Sequence, residues 1–279
     1  MASQALTLEQ VRTLAPSAFA THEHDSRSAR YAYIPTSDII TKLMDEGFMP
    51  FSAKQSVSRY DDRREFTKHM LTFRQVADMQ RAAVVGEQVP EVIVINSHDG
   101  SSAFNIMAGI FRFVCSNGMV VADSTIGSVK VLHKGNIAEQ VVGASYRVIS
   151  DSRRVMDKIG TWSGLMLTNG EQNALAEAAR VLRFGDDEGK VLTPITAGQL
   201  LEPRRVEDNQ SDLWHTFNRI QENTTKGGLR GRTAMHRDDN GVMQRGRRMT
   251  TRPVKGIDQD VKLNRALWTL AEELAKAKR

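Results

Sequence analysis

The stretch Glu91–Asp123, EVIVINSHDGSSAFNIMAGIFRFVCSNGMVVAD, sets the tightest limit on what this chain can become, because it gathers the densest apolar runs around an Asp-Gly dipeptide. Asp-Gly is favoured where both turn residues need positive φ, as in a two-residue type I′ loop. Val92–His98 and the run from Ser101 through Phe104 onward are therefore expected to pair as a hairpin closed by Asp99-Gly100. The tip is polar, with Asn96, Ser97, His98, Asp99, Ser101 and Ser102. Turn chemistry accounts for these residues if the serines and Asn96 satisfy exposed backbone. A Ser/His/Asp triad built from them fails on geometry, since neighbouring strand residues point to opposite faces.

On either side the pattern reads as short strands and then helices. Tyr31 and Tyr33 alternate before Pro35, and Thr36 or Ser37 is placed to cap a helix through Ile39, Ile40, Leu43 and Met44 to Gly47. Phe51–Arg59 shows the period of two of a half-exposed strand, and after the polar turn Tyr60–Glu65 it is expected to pair antiparallel with Phe66–Arg74, where Leu71 and Phe73 share a face. Gln75–Pro90 reads equally as loop or short helix. Asn117-Gly118 is a second turn dipeptide, followed by strands over Met119–Ala122 and Ser128–Lys134. Beyond that the spacing is helical over Ile137–Ile159. Thr168 and Glu171 stand as a capping box before a helix Gln172–Phe184 that Gly185 ends. A turn of helix is expected at Ala197–Leu201, then a helix from Leu213 to Asn223 capped by Ser211 or Asp208 and stopped by Gly227-Gly228. The last helix, Gln259–Lys276, is capped by Asp258. The expected fold class is α+β: an antiparallel sheet with a central β-hairpin in the N-terminal half and a mainly helical C-terminal half. The divisions are an N-terminal arm (1–30), the sheet region (31–135), a helical region packed on the sheet (136–225), a basic loop (226–257) and a C-terminal helix (258–279).

The chain of 279 residues, 40% hydrophobic and 25% charged, can bury a core as one large or two modest domains. No apolar run approaches the roughly 20 residues of a bilayer span, and no basic leader with an apolar core opens the sequence, so a cytoplasmic protein without a membrane partner is expected. The one cysteine, Cys115, cannot form an intramolecular disulfide and has the apolar neighbours of a structural residue. His22, His24 and Asp25 lack the partner cluster a metal needs, so neither metal nor cofactor is expected.

Charge is the informative part of the composition. Lys226, Arg230, Arg232, Arg237, Arg245, Arg247, Arg248, Arg252 and Lys255 face only Asp238 and Asp239 within their segment, so the net charge of +5 is concentrated here. Dense positive charge on a polar segment suits a polyanion, because each neutralised phosphate releases condensed counterions. The glycines at 227, 228 and 231 do not form a nucleotide-binding Gly-x-x-x-x-Gly-Lys loop. What they offer with the arginines is a pliant backbone carrying forked donors. In the sheet region Arg59, Arg63 and Arg64 bracket a turn between Tyr60 and Phe66, the best-placed rings for base stacking. Most other aromatics (Tyr31, Tyr33, Phe51, Phe73, Phe104, Phe111, Phe113) are expected in the core.

Two motifs carry a resemblance to a known family. One is Asn96-Ser97-His98-Asp99-Gly100-Ser101-Ser102-Ala103 followed by Ile110–Gly118. The other is Gly227-Gly228-Leu229-Arg230-Gly231-Arg232 with Gly256–Trp268. Together with Val131–Asn136 they resemble the phage/plasmid-like proteins of domain of unknown function 932, over nearly the whole chain. That resemblance implies a setting in phages, prophages and conjugative plasmids, and no catalytic residue set. The order of elements is also similar to that of phage single-strand annealing proteins. The expected function is non-catalytic DNA binding in recombination or replication, with single-stranded DNA preferred and a homo-oligomer as the acting form. In that reading Lys226, Arg230, Arg232, Arg245, Arg247, Arg248, Arg252 and Lys255 hold phosphates, and Arg59, Arg63 and Arg64 extend the groove. Asn96, His98, Asp99 and Ser101 then touch backbone or a neighbouring subunit. The alternatives are a counter-defence protein that binds a host protein, and a metal-dependent nuclease using Asp61, Asp62, Glu65, His69 and Asp99.

Overall fold

A computed structural model of the chain describes residues 4–28, 31, 33–79, 88–112, 117–120, 129–130, 137–186, 188–191, 193–237 and 243–278. The chain divides into two units, Met1–Asp157 and Lys158–Arg279.

In the first unit the helices are α1 (Leu8–Leu14), α2 (Thr36–Asp45), α3 (Val76–Met79) and the start of α4 (Ile137–Ser163). Its strands are β1 (Phe48–Gln55), β2 (His69–Gln75), β3 (Gln88–Asn96), β4 (Asn105–Arg112), β5 (Asn117–Val120) and β6 (Val129–Lys130). The strands form an antiparallel sheet in the order β1-β2-β3-β4-β5, with β6 also paired to β4. Val92, Ile93, Val94 and Ile95 are all buried, and because alternate residues point to opposite faces, both faces of the sheet are covered at β3. The pairing of β1 with β2 is antiparallel as expected, but β1 starts at Phe48, with a register shift between Pro50 and Ser52.

The hairpin is present and its turn is not the two-residue loop. Ile95 pairs with Asn105, so the connection runs from Asn96 to Phe104. Past Asn96 the chain leaves the ladder sideways: the N–H groups of His98 and Asp99 donate to the carbonyl of Phe66 (2.9 and 3.1 Å). Ser97 Oγ accepts from the Ser102 N–H (2.8 Å) and ties the loop across its base. Gly100 keeps its positive φ of 74° and Asp99 Oδ1 accepts from the Ser101 N–H (2.9 Å), so the dipeptide still bends the chain inside a wider loop. Tyr31 and Tyr33 lie outside any strand. Their phenols act as clamps, Tyr31 donating to the Ser97 carbonyl (2.7 Å) and Tyr33 to that of Ala20. Asn117-Gly118 opens β5, with Arg112 pairing with Asn117, and residues 113–116 between them, with Cys115, lie outside the described residues. The expected strand ends at Ala122 and over 131–134 also lie outside them.

The second unit contains α5 (Asn169–Phe184), α6 (Ala197–Leu201), α7 (Leu213–Lys226), α8 (Ile257–Ala277) and short strands between α7 and α8. Trp162, Phe217 and Trp268 form its aromatic centre, with Trp162 and Trp268 centroids 4.6 Å apart. The capping box Thr168-Glu171 is formed at α5 as expected. At α7 the cap is Asp212, one residue past Ser211. Its carboxylate accepts the His215 N–H (3.0 Å) and also meets His215 Nδ1 (2.6 Å). At α8 the N-cap position is Gly256, and Asp258 sits in the first turn, where it favours the helix dipole. Replacing Asp212 by Ala is expected to destabilise this unit by about 2 kcal/mol, the upper end for an N-cap, because Asp212 is buried. Urea denaturation followed by tryptophan emission checks it. An unchanged midpoint would remove the cap from the account.

Candidate nucleic-acid interface

The basic segment expected as a loop is a β-ribbon. Helix α7 ends at Gly227 and Gly228, with φ of 65° and 82°, conformations that side chains with a Cβ rarely adopt. A Cβ on Gly227 would lie 2.7 Å from the Arg252 carbonyl carbon, so the outgoing and returning chains touch there through bare backbone. Gly228 N–H donates to Thr251 O and Thr251 N–H to Leu229 O (2.9 Å each). The ladder continues with β7 (Arg230–Arg232) against β10 (Arg248–Thr250), then β8 (His236–Arg237) against β9 (Met243–Gln244). Both ladders follow one register, and between them Thr233 N–H donates to Arg247 O (3.0 Å) while Thr233 Oγ1 accepts the Arg247 N–H (2.8 Å). The segment is thus one hairpin, with its two strands in close backbone contact midway, where a Cβ on Gly246 would stand 1.7 Å from the Thr233 oxygen. The absence of hydrophobic alternation hid it, because past its root the ribbon has no core-facing side.

Alternation within the ladder sorts the arginines. Arg232 lies opposite Arg248 and Arg230 opposite Thr250, so Arg230, Arg232 and Arg248 share one face. Gly231 is on the other, where a Cβ would meet the Pro194 carbonyl at 1.9 Å, so that face is backed by the loop before α6. The root is further held by Gln199 donating to Arg230 O (2.8 Å) and by Arg183 donating to Thr224 O and Arg252 O (3.2 and 3.1 Å). Arg230, Arg232, Arg245, Arg247, Arg248, Arg252 and Lys255 are exposed. Among the described residues none of them has a carboxylate within salt-bridge distance. Lys226 differs, for its ammonium is 2.8 Å from Glu222. Asp238 and Asp239, the two acids of the segment, lie outside the described residues.

The remaining candidates belong to the first unit. Arg59 and Arg64 are exposed, Arg64 pairing with Asp61 (2.9 Å), and Arg63 stands 5.7 Å over the Tyr60 ring. Tyr60 is 67% exposed, whereas Phe51, Phe73, Phe104 and Phe111 are buried, and Phe66 is half-buried under His22 and His24. Of the expected tip, Ser101 is exposed and Asp99 half-buried, but Asn96 and His98 are in the interior.

The interior of this unit holds what sequence spacing did not show. His69 Nδ1 is 3.0 Å from Ser17 Oγ and 3.2 Å from the Thr67 carbonyl, and since a carbonyl only accepts, Nδ1 carries the proton. His69 Nε2 therefore accepts from Thr36 Oγ1 (3.0 Å), whose lone pairs take Asn96 Nδ2 (2.9 Å) and His98 Nε2 (3.4 Å). This leaves His98 Nδ1 unprotonated and, among the described residues, without a partner. Burial, reinforced by the neighbouring His98, lowers the His69 pKa to about 3, and burial lowers that of His98 to about 4 despite the opposing pull of Asp99. Both rings are neutral, and Ser17, His69 and His98 have no exposed surface, so the cluster is a sealed polar core and presents no nucleophile to a substrate. Such clusters join residues from four separate segments, and only the fold reveals them. His69 is also removed from the nuclease ligand set, and among the described residues no three His, Cys, Asp or Glu side chains are grouped to hold a metal. Nor is any described helix long and apolar enough to cross a membrane.

Comparison with known proteins finds one family model, described as Domain of unknown function (DUF932), matching residues 23–268. Two proteins of Escherichia coli (strain K12), UPF0380 protein YafZ and UPF0380 protein YfjQ, are each 46% identical over 269 residues, covering 96% of this chain and 91% of theirs. No solved structure matches the chain.

Proposed function

The chain belongs to the family of Domain of unknown function (DUF932), and we propose that it is a DNA-binding protein of a phage or plasmid, acting in recombination or replication through its basic ribbon. The observation that carries this reading is a single-register hairpin on which five arginines (Arg230, Arg232, Arg245, Arg247 and Arg248) stand exposed, with Arg252 and Lys255 exposed just past its root, all without carboxylate partners among the described residues. Guanidinium groups held on an ordered backbone and not neutralised by carboxylates are what phosphate binding uses: they fork onto phosphate oxygens, and each phosphate neutralised releases counterions. The mobile-element setting rests on the family resemblance carried by Asn96–Ala103 with Ile110–Gly118 and by Gly227–Arg232 with Gly256–Trp268.

Fluorescence anisotropy with labelled oligonucleotides across a salt series, without magnesium, tests the proposal. Tight binding with a steep negative slope is expected. The triple variant R245A/R247A/R248A should flatten that slope by about 2 to 3, near 0.9 for each duplex phosphate that the variant leaves unneutralised. An unchanged slope would take the ribbon out of the interface. No affinity at low salt would overturn DNA binding and favour a protein partner.

A further inference from the structure

Resting on that reading, we infer that the ligand of the ribbon is double-stranded DNA, entered through the major groove. Binding of single strands without sequence preference combines a basic groove with aromatic rings on which successive bases stack. Between Lys226 and Lys255 the sequence has no Phe, Tyr or Trp, and in the other unit Phe51, Phe73, Phe104 and Phe111 are buried, while the exposed rings Tyr60 and Tyr146 belong to separate elements and do not follow one another along a strand as successive stacked bases require.

The shape points the same way. From Met243 to Thr250 every residue except Gly246 is exposed, so alternate residues on both sides of this strand reach solvent and the backing at Pro194 is confined to the root. A two-stranded ribbon with its side chains is about 10 Å across, which fits the major groove at about 12 Å and is too wide for an undeformed minor groove at about 6 Å. On the unbacked face Arg230 and Arg232 are about 6.8 Å apart along one strand, and Arg248 lies across from Arg232 about 5 Å away. Three forked donors in so small a patch suit base edges at the groove floor, where guanine offers O6 and N7 together. Arg245, Arg247, Arg252 and Lys255 remain for the flanking phosphates.

The test compares a duplex with each of its own strands at one salt concentration. A second duplex carries glucosylated hydroxymethylcytosine, which fills the major groove and leaves the phosphates as they were. A third is preloaded with netropsin in the minor groove. The duplex should bind about 10-fold more tightly than either strand, glucosylation should cost about 10-fold, and netropsin should change affinity by less than about 2-fold. R230A/R248A should lose about 10-fold on the plain duplex and become indifferent to glucosylation, whereas K262A/R265A, which removes equal charge from the exposed side of α8, should match the unsubstituted protein. Single strands bound as tightly as the duplex, or glucosylated DNA bound as well as plain DNA, would overturn the groove assignment and leave DNA binding standing. Failure to bind either form would overturn both.

Discussion

Between pH 7.5 and pH 5.0 the Met1–Asp157 unit should lose about 4 kcal/mol of stability, through two buried histidines. In the unfolded chain His69 and His98 titrate near about 6.5, while in the folded unit their values are lowered to about 3 and about 4. As pH falls below 6.5 the unfolded state takes up two protons that the folded state refuses. The stabilisation is therefore complete above about pH 6.5 and is lost progressively as pH falls toward the folded values, at about 1.4 kcal/mol per pH unit for each ring. Asp99, whose burial is outweighed by hydrogen bonds from Ser101 and Ser97, is held below the usual carboxylate range. Its contribution disappears only under more acid conditions, below about pH 4, which keeps the histidine window separate. Urea midpoints at successive pH values, read by backbone circular dichroism and tyrosine emission, measure the effect. The three tryptophans, Trp162, Trp214 and Trp268, lie in the other unit and give the internal comparison. H98Q should halve the slope between pH 6.5 and 5.0. A flat wild-type profile over that interval would mean that the imidazoles are not sealed as the Ser17–His69–Thr36–His98 network requires.

The second large effect concerns a charge inside the sheet. Arg74 and Glu91 meet at 2.8 Å with each side chain 3% exposed, and the guanidinium is stacked between Phe51 and Phe111, 4.1 and 3.6 Å from their ring centroids. Burial lowers the pKa of Arg74 and raises that of Glu91, and in each case the partner opposes the shift. Replacing Glu91 by Leu leaves a guanidinium that cannot shed its proton, and the unit should lose about 3 to 5 kcal/mol. Replacing Arg74 by Met leaves a carboxylate that can protonate, so this loss should be smaller and should shrink further as pH falls. The double variant R74M/E91L should be more stable than E91L alone, because an apolar pair removes the buried charge that has lost its Glu91 carboxylate. Denaturant midpoints of the three variants at pH 7.5 and 5.5 decide it. Losses that simply add in the double variant would show that the two side chains are energetically independent.

Much of the sheet was legible because its signals are local. The apolar run at 92–95 and the capping box at Thr168 each depend on a few consecutive residues and became the element expected, and the strands on either side of Tyr60 pair antiparallel as expected, although β1 lies at Phe48–Gln55 and β2 is buried along almost its whole length. The errors fell where a distant partner outcompeted local preference. Asp99-Gly100 would close a tight hairpin alone, but the Phe66 carbonyl draws His98 and Asp99 out of the ladder and widens the loop. Thr36 looks like a helix cap and is instead turned inward to the two histidines. In the basic segment the charges were visible and the geometry was not, since Gly231 and Gly246 are set by their close approach to Pro194 and Thr233, which no spacing rule encodes. The arginine face, in turn, depends on strand register.

The glycine-pinned root of the ribbon has a thermodynamic consequence for whatever the ribbon meets. A basic tail without structure would have to give up its backbone freedom at the moment of binding, a cost of about 1 to 2 kcal/mol for each residue fixed. Here Gly227 and Gly228 lock the entry, the Thr251 and Thr233 hydrogen bonds lock the register, and that entropy was already surrendered when the unit folded. Association then carries a small heat-capacity change and a rate set by collision and long-range attraction, with no folding step in between.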